Sequence, residues 1–257
     1  MRRIRRSARG MLYRSPGAGP IPVIGFVVTW LLMGLASSVQ AETYTLYTEE
    51  LPPYVMRDGK QISGAGVDVV TELFRRAGYD FQVKVLPWKR AYLMGRTEEN
   101  SCVFPVQRSQ ENEVLFQWVS PIFISHSAFY SLADASFRIR SLKDVENLTI
   151  GSYLGSGDAE YLEDQGFELE LTSTNLSNMR KLALKRLDVW AVDTLTASYL
   201  IQHFGEVLLK KQLVYFTTLR ALGCNLAVPE PVIAGLNNAL KSMYADGTVD
   251  RILDGYR

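Results

Sequence analysis

Strand-like and helix-like segments alternate along this chain after about residue 42, and this alternation constrains the fold more than any other feature. Thr43–Thr48 alternates apolar and polar side chains, which predicts a strand. From Gly66 the apolar positions recur at helical spacing as far as a predicted C-cap at Gly78. A strand at Phe81–Leu86, a second helix and a strand around Cys102 complete the series. A β-α-β-α-β series predicts a parallel sheet with right-handed crossovers.

A second and shorter alternating series lies downstream. Its strands and helices are predicted at Leu148–Gly151, Asp158–Gln165, Phe167–Leu171, Ser177–Lys185 and Val189–Val192. Because this series is short, we interpret it as a second, smaller α/β lobe and not as an extension of the first sheet. A strand from Gly223 to Val228 and an amphipathic helix over Glu230–Ala245 follow near the C-terminus.

The first 41 residues have the pattern of a secretory signal peptide. Met1–Arg14 contains six arginines and no acidic residue, Pro22–Ala36 is an apolar run, and Val39–Ala41 offers small residues before a cleavage point. A single membrane anchor is the alternative, but the apolar run is shorter than the roughly 20 residues needed to span a bilayer. We therefore predict a cleaved signal peptide over residues 1–41, with the export route left open.

Removal of this segment changes the charge of the chain. The remaining 216 residues carry 22 basic and 27 acidic side chains, a net charge of about −5. A secreted and mildly acidic domain has no electrostatic reason to bind nucleic acid, so no nucleic-acid partner is expected. The length allows either one large domain or two small lobes.

The chain contains two cysteines, Cys102 and Cys224, and two histidines, His126 and His203. In an oxidising compartment two cysteines are candidates for a disulfide, although their spacing alone does not establish one. The four residues show no metal-ligand spacing, so neither a metal site nor a cofactor is predicted.

Several segments carry a resemblance to a known family. They are the PPY loop, the helix GAGVDVVTELFRRAGY, the stretch SQENEVLFQWVSPI, the strand-loop-helix IGSYLGSGDAEYL, the strand-helix DVWAVDTLTASYL and the C-terminal LNNALKSMYADGTVDRIL. In order and spacing they resemble family 3 extracellular solute-binding proteins, of the amino-acid type that serves ABC transporters, as a divergent member. The resemblance covers Thr43 to Tyr256.

This resemblance implies a fold and a domain organisation. The expected fold is α/β, the type II periplasmic-binding-protein fold, with two lobes joined by two crossing hinge strands. Lobe 1 would comprise residues 42–121 and 222–257, and lobe 2 residues 122–221, with crossings near Pro121 and at Leu219–Leu222. Cys102 and Cys224 would lie on neighbouring strands of lobe 1, which makes a disulfide between them plausible.

The resemblance also implies a function. The chain would be a monomeric periplasmic receptor that binds a small polar or amino-acid-like solute in the cleft between the lobes, for an ABC importer or a sensor. It would not be an enzyme, because the sequence shows no nucleophile-base-orienter arrangement. Two alternatives remain: a dehydratase-like enzyme on the same fold, with Glu50 or Asp193 as general acid, and a sensory or orphan domain without an importer.

A free amino acid requires a cation for its carboxylate and an acid for its ammonium group. Members of the family that bind amino acids typically use an arginine at the start of the helix after the third strand, and that position is Asn112 here. Arg108, four residues earlier, is the candidate replacement, since its guanidinium can hold a carboxylate bidentately. A purely structural role is its alternative. Phe104 replaces a small hydroxyl residue of relatives and predicts a more apolar pocket.

Other binding residues are carried over from the resemblance. Gly155 and Ser156 match a loop of backbone N–H groups that meets the anionic end of a ligand. Asp193 matches the acid that receives the ligand ammonium, and it is also a candidate N-cap for the next helix. From lobe 1 we expect Glu50 and Tyr54 in the cleft, although Tyr54 is as readily packed against the sheet edge.

Overall fold

The computed structural model describes Gly17, residues 42–205 and residues 207–257. The predicted signal peptide therefore lies, apart from Gly17, outside the described residues. None of the helices found in the described part of the chain combines the length and the apolar character needed to cross a membrane.

The described residues form strands and helices in the predicted alternation. The first part contains β1 Thr43–Thr48, β2 Met56–Asp58, β3 Gln61–Ser63, α1 Ala65–Ala77, β4 Asp80–Val85, α2 Trp88–Thr97 and β5 Ser101–Gln107. The second part contains β6 Gln117–Leu132, β7 Ile150–Tyr153, α3 Gly157–Asp164, β8 Leu169–Thr172, α4 Asn175–Ala183, β9 Val189–Asp193 and α5 Thr194–Phe204. The third part contains β10 Leu209–Cys224, α6 Glu230–Ala245 and α7 Thr248–Asp254. Two short 3-10 helices occupy Glu113–Leu115 and Leu142–Val145.

Eight strands form one continuous hydrogen-bonded series in the order β4-β1-β5-β10-β6-β9-β7-β8. Each end of the sheet consists of three parallel strands, β4-β1-β5 on one side and β9-β7-β8 on the other. The central strand of each group, β1 or β7, comes first in the chain among its three strands. Between them lie β10 and β6, which are antiparallel to each other and to their outer neighbours. Two α/β halves are therefore connected through two long strands.

Helix α1 shows how the local sequence builds lobe 1. Val67, Val70, Leu73 and Phe74 are almost fully buried and lie on one face of the helix. The helix ends at Gly78, whose left-handed backbone (φ 77°) lets its N–H donate to the carbonyl of Phe74. Glycine adopts this conformation without steric cost, so the periodic pattern and its predicted end point have the same physical basis.

The long strands β6 and β10 contain the predicted crossing points. They pair from Leu132 opposite Leu209 to Gln117 opposite Cys224. Strand β6 continues through Ser120–Pro121, next to the first predicted crossing. The register shifts at this point, between the pairs made by Arg220 and Leu222, and such a bulge accommodates proline, which has no N–H for the ladder. The strand predicted at Gly223–Val228 is the end of β10, which stops at Cys224.

The disulfide closes lobe 1 between two paired strands. Cys102 on β5 lies directly opposite Cys224 on β10, and the two sulfurs are bonded. The two cysteines are 122 residues apart in the sequence, and the segment between them contains all of the residues that we assigned to lobe 2. It therefore ties the point where the chain re-enters lobe 1 to the strand that precedes its exit.

Each half has its own apolar core. The largest core packs Leu46 of β1 against Phe74 of α1 and Leu236 of α6. In the other half, Trp190 packs with Leu182 and Leu200 on one face of the sheet, while Phe129 and Leu162 pack on the opposite face. Leu195 of α5 also joins the core of the first half, so the two halves pack against each other next to β6 and β10.

Candidate ligand-binding cleft

A cleft of about 420 Å³ lies where the carboxyl ends of strands from both lobes meet. It is lined by Glu49, which follows β1, and by Gln107, Tyr153 and Asp193, the last residues of β5, β7 and β9. Open α/β sheets bind ligands outside the carboxyl ends of their strands, and this volume suits a small solute.

Tyr54 and Asp193 connect the two lobes at the base of the cleft. The Tyr54 ring stacks on Phe123 with a centroid separation of 4.8 Å, and its hydroxyl donates to Asp193 Oδ1 at 2.8 Å. Burial, reinforced by the negative charge of Asp193, raises the pKa of Tyr54 well above its ordinary value. The tyrosine is therefore a neutral hydrogen-bond donor. Its ring is buried, and the residue also lines the cleft.

Asp193 is the N-cap of α5. Its Oδ1 accepts hydrogen bonds from the backbone N–H groups of Leu195 and Thr196, both at 3.0 Å, and Oδ2 accepts one from the hydroxyl of Ser125. With the Tyr54 hydroxyl, four donors occupy this carboxylate, which is about the number that it can accept. Asp193 also lines the cleft, although its hydrogen-bonding capacity is used by these four donors.

The start of α3 forms the wall of the cleft in lobe 2. Gly155 has a left-handed backbone (φ 76°), and Ser156 caps the helix by accepting from the backbone N–H of Ala159 at 3.1 Å. Gly157 lies against the amide end of the Gln107 side chain from lobe 1, which would have to move to admit a Cβ atom. Gly155, Ser156 and Gly157 all line the cleft.

Asp158 is a buried acid in the same wall. It is 5 % exposed and accepts a hydrogen bond from the hydroxyl of Ser127. Burial raises the pKa of its carboxyl, and the nearby Arg220 charge opposes this rise. Asp158 thus adds to the acidic character of the cleft from below its surface.

Arg108 does not line the cleft. Its guanidinium forms a bidentate ion pair with Glu113, at 2.8 and 2.6 Å, and lies over the ring of Trp118. Asn112 lines the cleft but serves the turn, since its side chain donates to the carbonyl of Gln107 and accepts from the N–H of Ser109. In this arrangement Arg108 and Asn112 both contact residues of the turn after β5.

Arg220 is the cation that sequence reasoning missed. It lies on β10 opposite Phe123, is half-buried and lines the cleft. Among the described residues its guanidinium forms no ion pair within 4 Å. The signal was present in the sequence, because Arg220 is the sole charged residue between Lys211 and Glu230, inside a predicted hinge strand.

Glu49 is the second missed residue. Its carboxyl lines the cleft, and burial raises its pKa to about 7, with the charge of Arg220 opposing the rise. We had expected the neighbouring Glu50, which is exposed and lines a different cavity. Adjacent residues of an extended segment point in opposite directions, so one of the pair faces the cleft and the other does not.

The charges of the cleft are unequal. One guanidinium lines it together with five carboxyl groups, those of Glu49, Glu111, Asp158, Glu160 and Asp193. A cavity of this kind favours a ligand that carries at least one positive group.

Phe104, from which we predicted an apolar pocket, is fully buried in the core of lobe 1 and does not line the cleft. Within residues 42–205 and 207–257 no cluster of three His, Cys, Asp or Glu side chains is placed to hold a metal ion.

The fold and the cleft together define a class: two-lobed α/β receptors with a solute site between the lobes. The chain belongs to the bacterial extracellular solute-binding proteins, family 3, whose sequence profile matches residues 45–257. This match confirms the family and the type II periplasmic-binding-protein fold expected from the sequence.

Solved structures share this fold at low sequence identity. A histidine kinase sensor domain with similarity to periplasmic binding proteins has a TM-score of 0.72 and 16% identity, covering 83% of this chain and 95% of that chain. The GluR0 ligand-binding core from Nostoc punctiforme, in complex with L-glutamate, has a TM-score of 0.69 and 17% identity, covering 83% and 98%. The ancestral amino-acid-binding protein AncCDT-1, a precursor of cyclohexadienyl dehydratase, has a TM-score of 0.69 and 18% identity, covering 84% and 95%. A comparison with functionally curated proteins found no match.

Proposed function

We propose that this protein is a periplasmic receptor that binds a small amino-acid-like solute in the cleft and presents it to an ABC importer or to a sensor. The observation that carries the proposal is the guanidinium of Arg220, which has no ion-pair partner among residues 42–205 and 207–257 and lies in one cavity with several carboxyl groups. A zwitterion has a carboxylate for the guanidinium and an ammonium for the acids. The amino-acid ligands of related structures support the same class of solute.

The contacts differ from those carried over by resemblance. We assign the ligand carboxylate to Arg220, because Arg108 is already paired with Glu113. We assign the ammonium to Glu49, whose carboxyl has no side-chain partner among the described hydrogen bonds, with Asp193 contributing charge. Gly155 and Ser156 supply polar groups from the opposite lobe.

Binding would work by closure of the lobes and would involve no chemical step. The Tyr54–Asp193 hydrogen bond and the contact between Gln107 and Gly157 both join lobe 1 to lobe 2. A solute held between these contacts would be shielded from water, which strengthens each ion pair that it makes. The hinge would be the antiparallel pair β6 and β10.

The test is to identify what the native protein carries. Protein purified from the periplasm without denaturation would be analysed by native mass spectrometry, and the released solute by tandem mass spectrometry. A thermal-shift panel of the standard amino acids, small carboxylic acids and small amines would follow, with stabilisation of about 2.7 kcal/mol expected at 100 times Kd. A solute without an amino or carboxylate group, or no shift with any amino acid, would contradict the proposal.

One observation favours a second candidate, an enzyme on the same fold. A carboxyl in a cleft with a pKa of about 7 suits general acid-base catalysis at neutral pH, and Glu49 has that property. It is better placed for this role than Glu50, which lies outside the cleft.

To test for an enzyme, the released solute would be incubated with protein at a hundredth of the solute concentration and followed by NMR. Product formation that disappears in Glu49→Gln would establish the enzyme, and an unchanged solute would exclude it.

A further inference from the structure

A second cavity, of about 380 Å³, adjoins the cleft, and we call it the side chamber. It lies between the segment after β1 and the helices α4 and α5. Its apolar walls are Leu51, Pro52, Leu176, Tyr199, Leu200 and Phe204. The side chamber therefore differs chemically from the cleft, whose walls carry five acids and a guanidinium.

The two cavities share a wall. Leu51, Tyr153, Asn175 and Thr196 line both of them. The shared residues come from both lobes, since Leu51 follows β1 while the other three belong to β7, α4 and α5. The shared residues place the two cavities side by side, so a solute that bridged them would lie against these four side chains.

The walls of the side chamber favour an apolar occupant over water. Phe204 is 48 % exposed at its edge, and an exposed aromatic side chain of this size gains from being covered. The exposed lining of the chamber is mostly apolar, although Glu50, Ser173 and Asn175 also line it, so water there has fewer hydrogen-bond partners than in the cleft. Because the chamber shares lining residues with the charged cleft, the covering group is best supplied by the same solute.

We propose that the solute has two chemically different ends: a zwitterionic head held by Arg220 and Glu49, and an aromatic or branched aliphatic group that occupies the side chamber. This inference rests on the proposed function for the head. It adds that the side chamber, and not the charged cleft, determines which amino-acid-like solutes are selected.

The experiment tests the two ends separately. Ser173 lies at the exposed edge of the side chamber and does not line the cleft, so Ser173→Trp fills the chamber without disturbing a core. Ser136→Trp is the matched control, because Ser136 is also exposed and lines neither cavity. Binding of the neutral probe 5-fluoroindole would be followed by fluorine NMR. Binding of L-alanine, L-leucine and L-phenylalanine would be measured by calorimetry.

The expected result has three parts. Fluoroindole binds to the wild type, to Ser136→Trp and to Arg220→Gln, but not to Ser173→Trp. Phenylalanine binds roughly 10- to 100-fold more tightly than alanine, with leucine between them, as burial of the apolar side chain requires. Ser173→Trp removes this preference while leaving alanine within about threefold of its wild-type affinity.

Each failure has a different meaning. Equal affinities for alanine and phenylalanine, or fluoroindole binding that persists in Ser173→Trp, would overturn the role of the side chamber. Absence of binding by all three amino acids, with fluoroindole binding still lost in Ser173→Trp, would instead overturn the proposed function and with it the two-ended solute.

Discussion

The hydroxyl of Tyr54 donates to Asp193 Oδ1 at 2.8 Å and so links the loop after β1 in lobe 1 to the start of α5 in lobe 2. Both residues are buried, with 4 % and 6 % of their surfaces exposed. A hydrogen bond to a carboxylate in this buried environment therefore stabilises the contact between the lobes.

Tyr54→Phe should therefore weaken the contact between the lobes. We expect a larger radius of gyration for the unliganded protein by small-angle X-ray scattering, and a loss of about 1–2 kcal/mol in unfolding free energy. Tyr256→Phe is the control, since it removes a 2.7 Å hydrogen bond to Asp68 within lobe 1. Equal radii of gyration for the two variants would show that the Tyr54 bond does not hold the lobes.

Arg220→Gln should weaken binding of an amino-acid ligand roughly 30-fold or more, because it removes the guanidinium that we assign to the carboxylate. Arg108→Gln should leave affinity within about twofold, since Arg108 is paired with Glu113 outside the cleft. Calorimetric titration of both variants decides between them. The opposite ranking would return the carboxylate to Arg108, as the sequence first suggested.

Glu49 should make binding depend on pH. Its pKa is about 7 in the free protein, and an ammonium ligand requires the ionised form. Affinity should therefore rise as pH increases through 7, and fall by up to about tenfold per unit below it. Titrations from pH 5.5 to 8.5 would show this slope in the wild type. Glu49→Gln should bind more weakly and show a flat profile, and a retained slope would assign the proton to another group.

The same carboxyl should cost stability at neutral pH. Because its pKa is raised on folding from 4.5 to about 7, folding becomes less favourable as pH rises across that window. Without ligand, the unfolding free energy of Glu49→Gln should exceed that of the wild type by roughly 1–2 kcal/mol at pH 8. At pH 4.5 the two proteins should be equally stable. Thermal melts at the two pH values test this, and a variant less stable at pH 8 would contradict it.

Loss of the Cys102–Cys224 bond should destabilise the protein strongly. On the chain-entropy model a loop of 122 residues corresponds to about 4–5 kcal/mol. Urea unfolding of the double Cys→Ser variant against the oxidised wild type measures this value. Titration of the unreduced wild type with a thiol reagent should find no free thiol, and two free thiols would refute the bond.

Local sequence patterns were sufficient for much of the fold. Helix α6 spans Glu230–Ala245 as its periodicity predicts, and α1 ends at the glycine expected to cap it. These features depend on residues close together in the chain, whose hydrogen bonds and apolar faces can be inferred without knowing the rest of the structure. The order of these segments along the chain was also sufficient to identify the family.

The binding cations and acids were less predictable. Arg108 is neutralised by Glu113, only five residues away, because a 3-10 turn brings the two side chains together where a longer helix was expected. Glu49 and Glu50 are adjacent residues of the same type, so the sequence does not distinguish them. The path of the chain after β1 decides which of the two side chains faces the cleft. Arg220 faces the cleft only because β10 pairs with β6 across the hinge.

The sequence by itself determined the strand-helix alternation, the helix ends, the family and the acid that caps α5, since each depends on local spacing. Only the tertiary structure decided that Arg220 and Glu49 share the cleft, that Arg108 is excluded from it, and that an apolar chamber adjoins it. Whether a charge is free or paired depends on distances in space between residues that are far apart in the chain, and folding alone sets those distances.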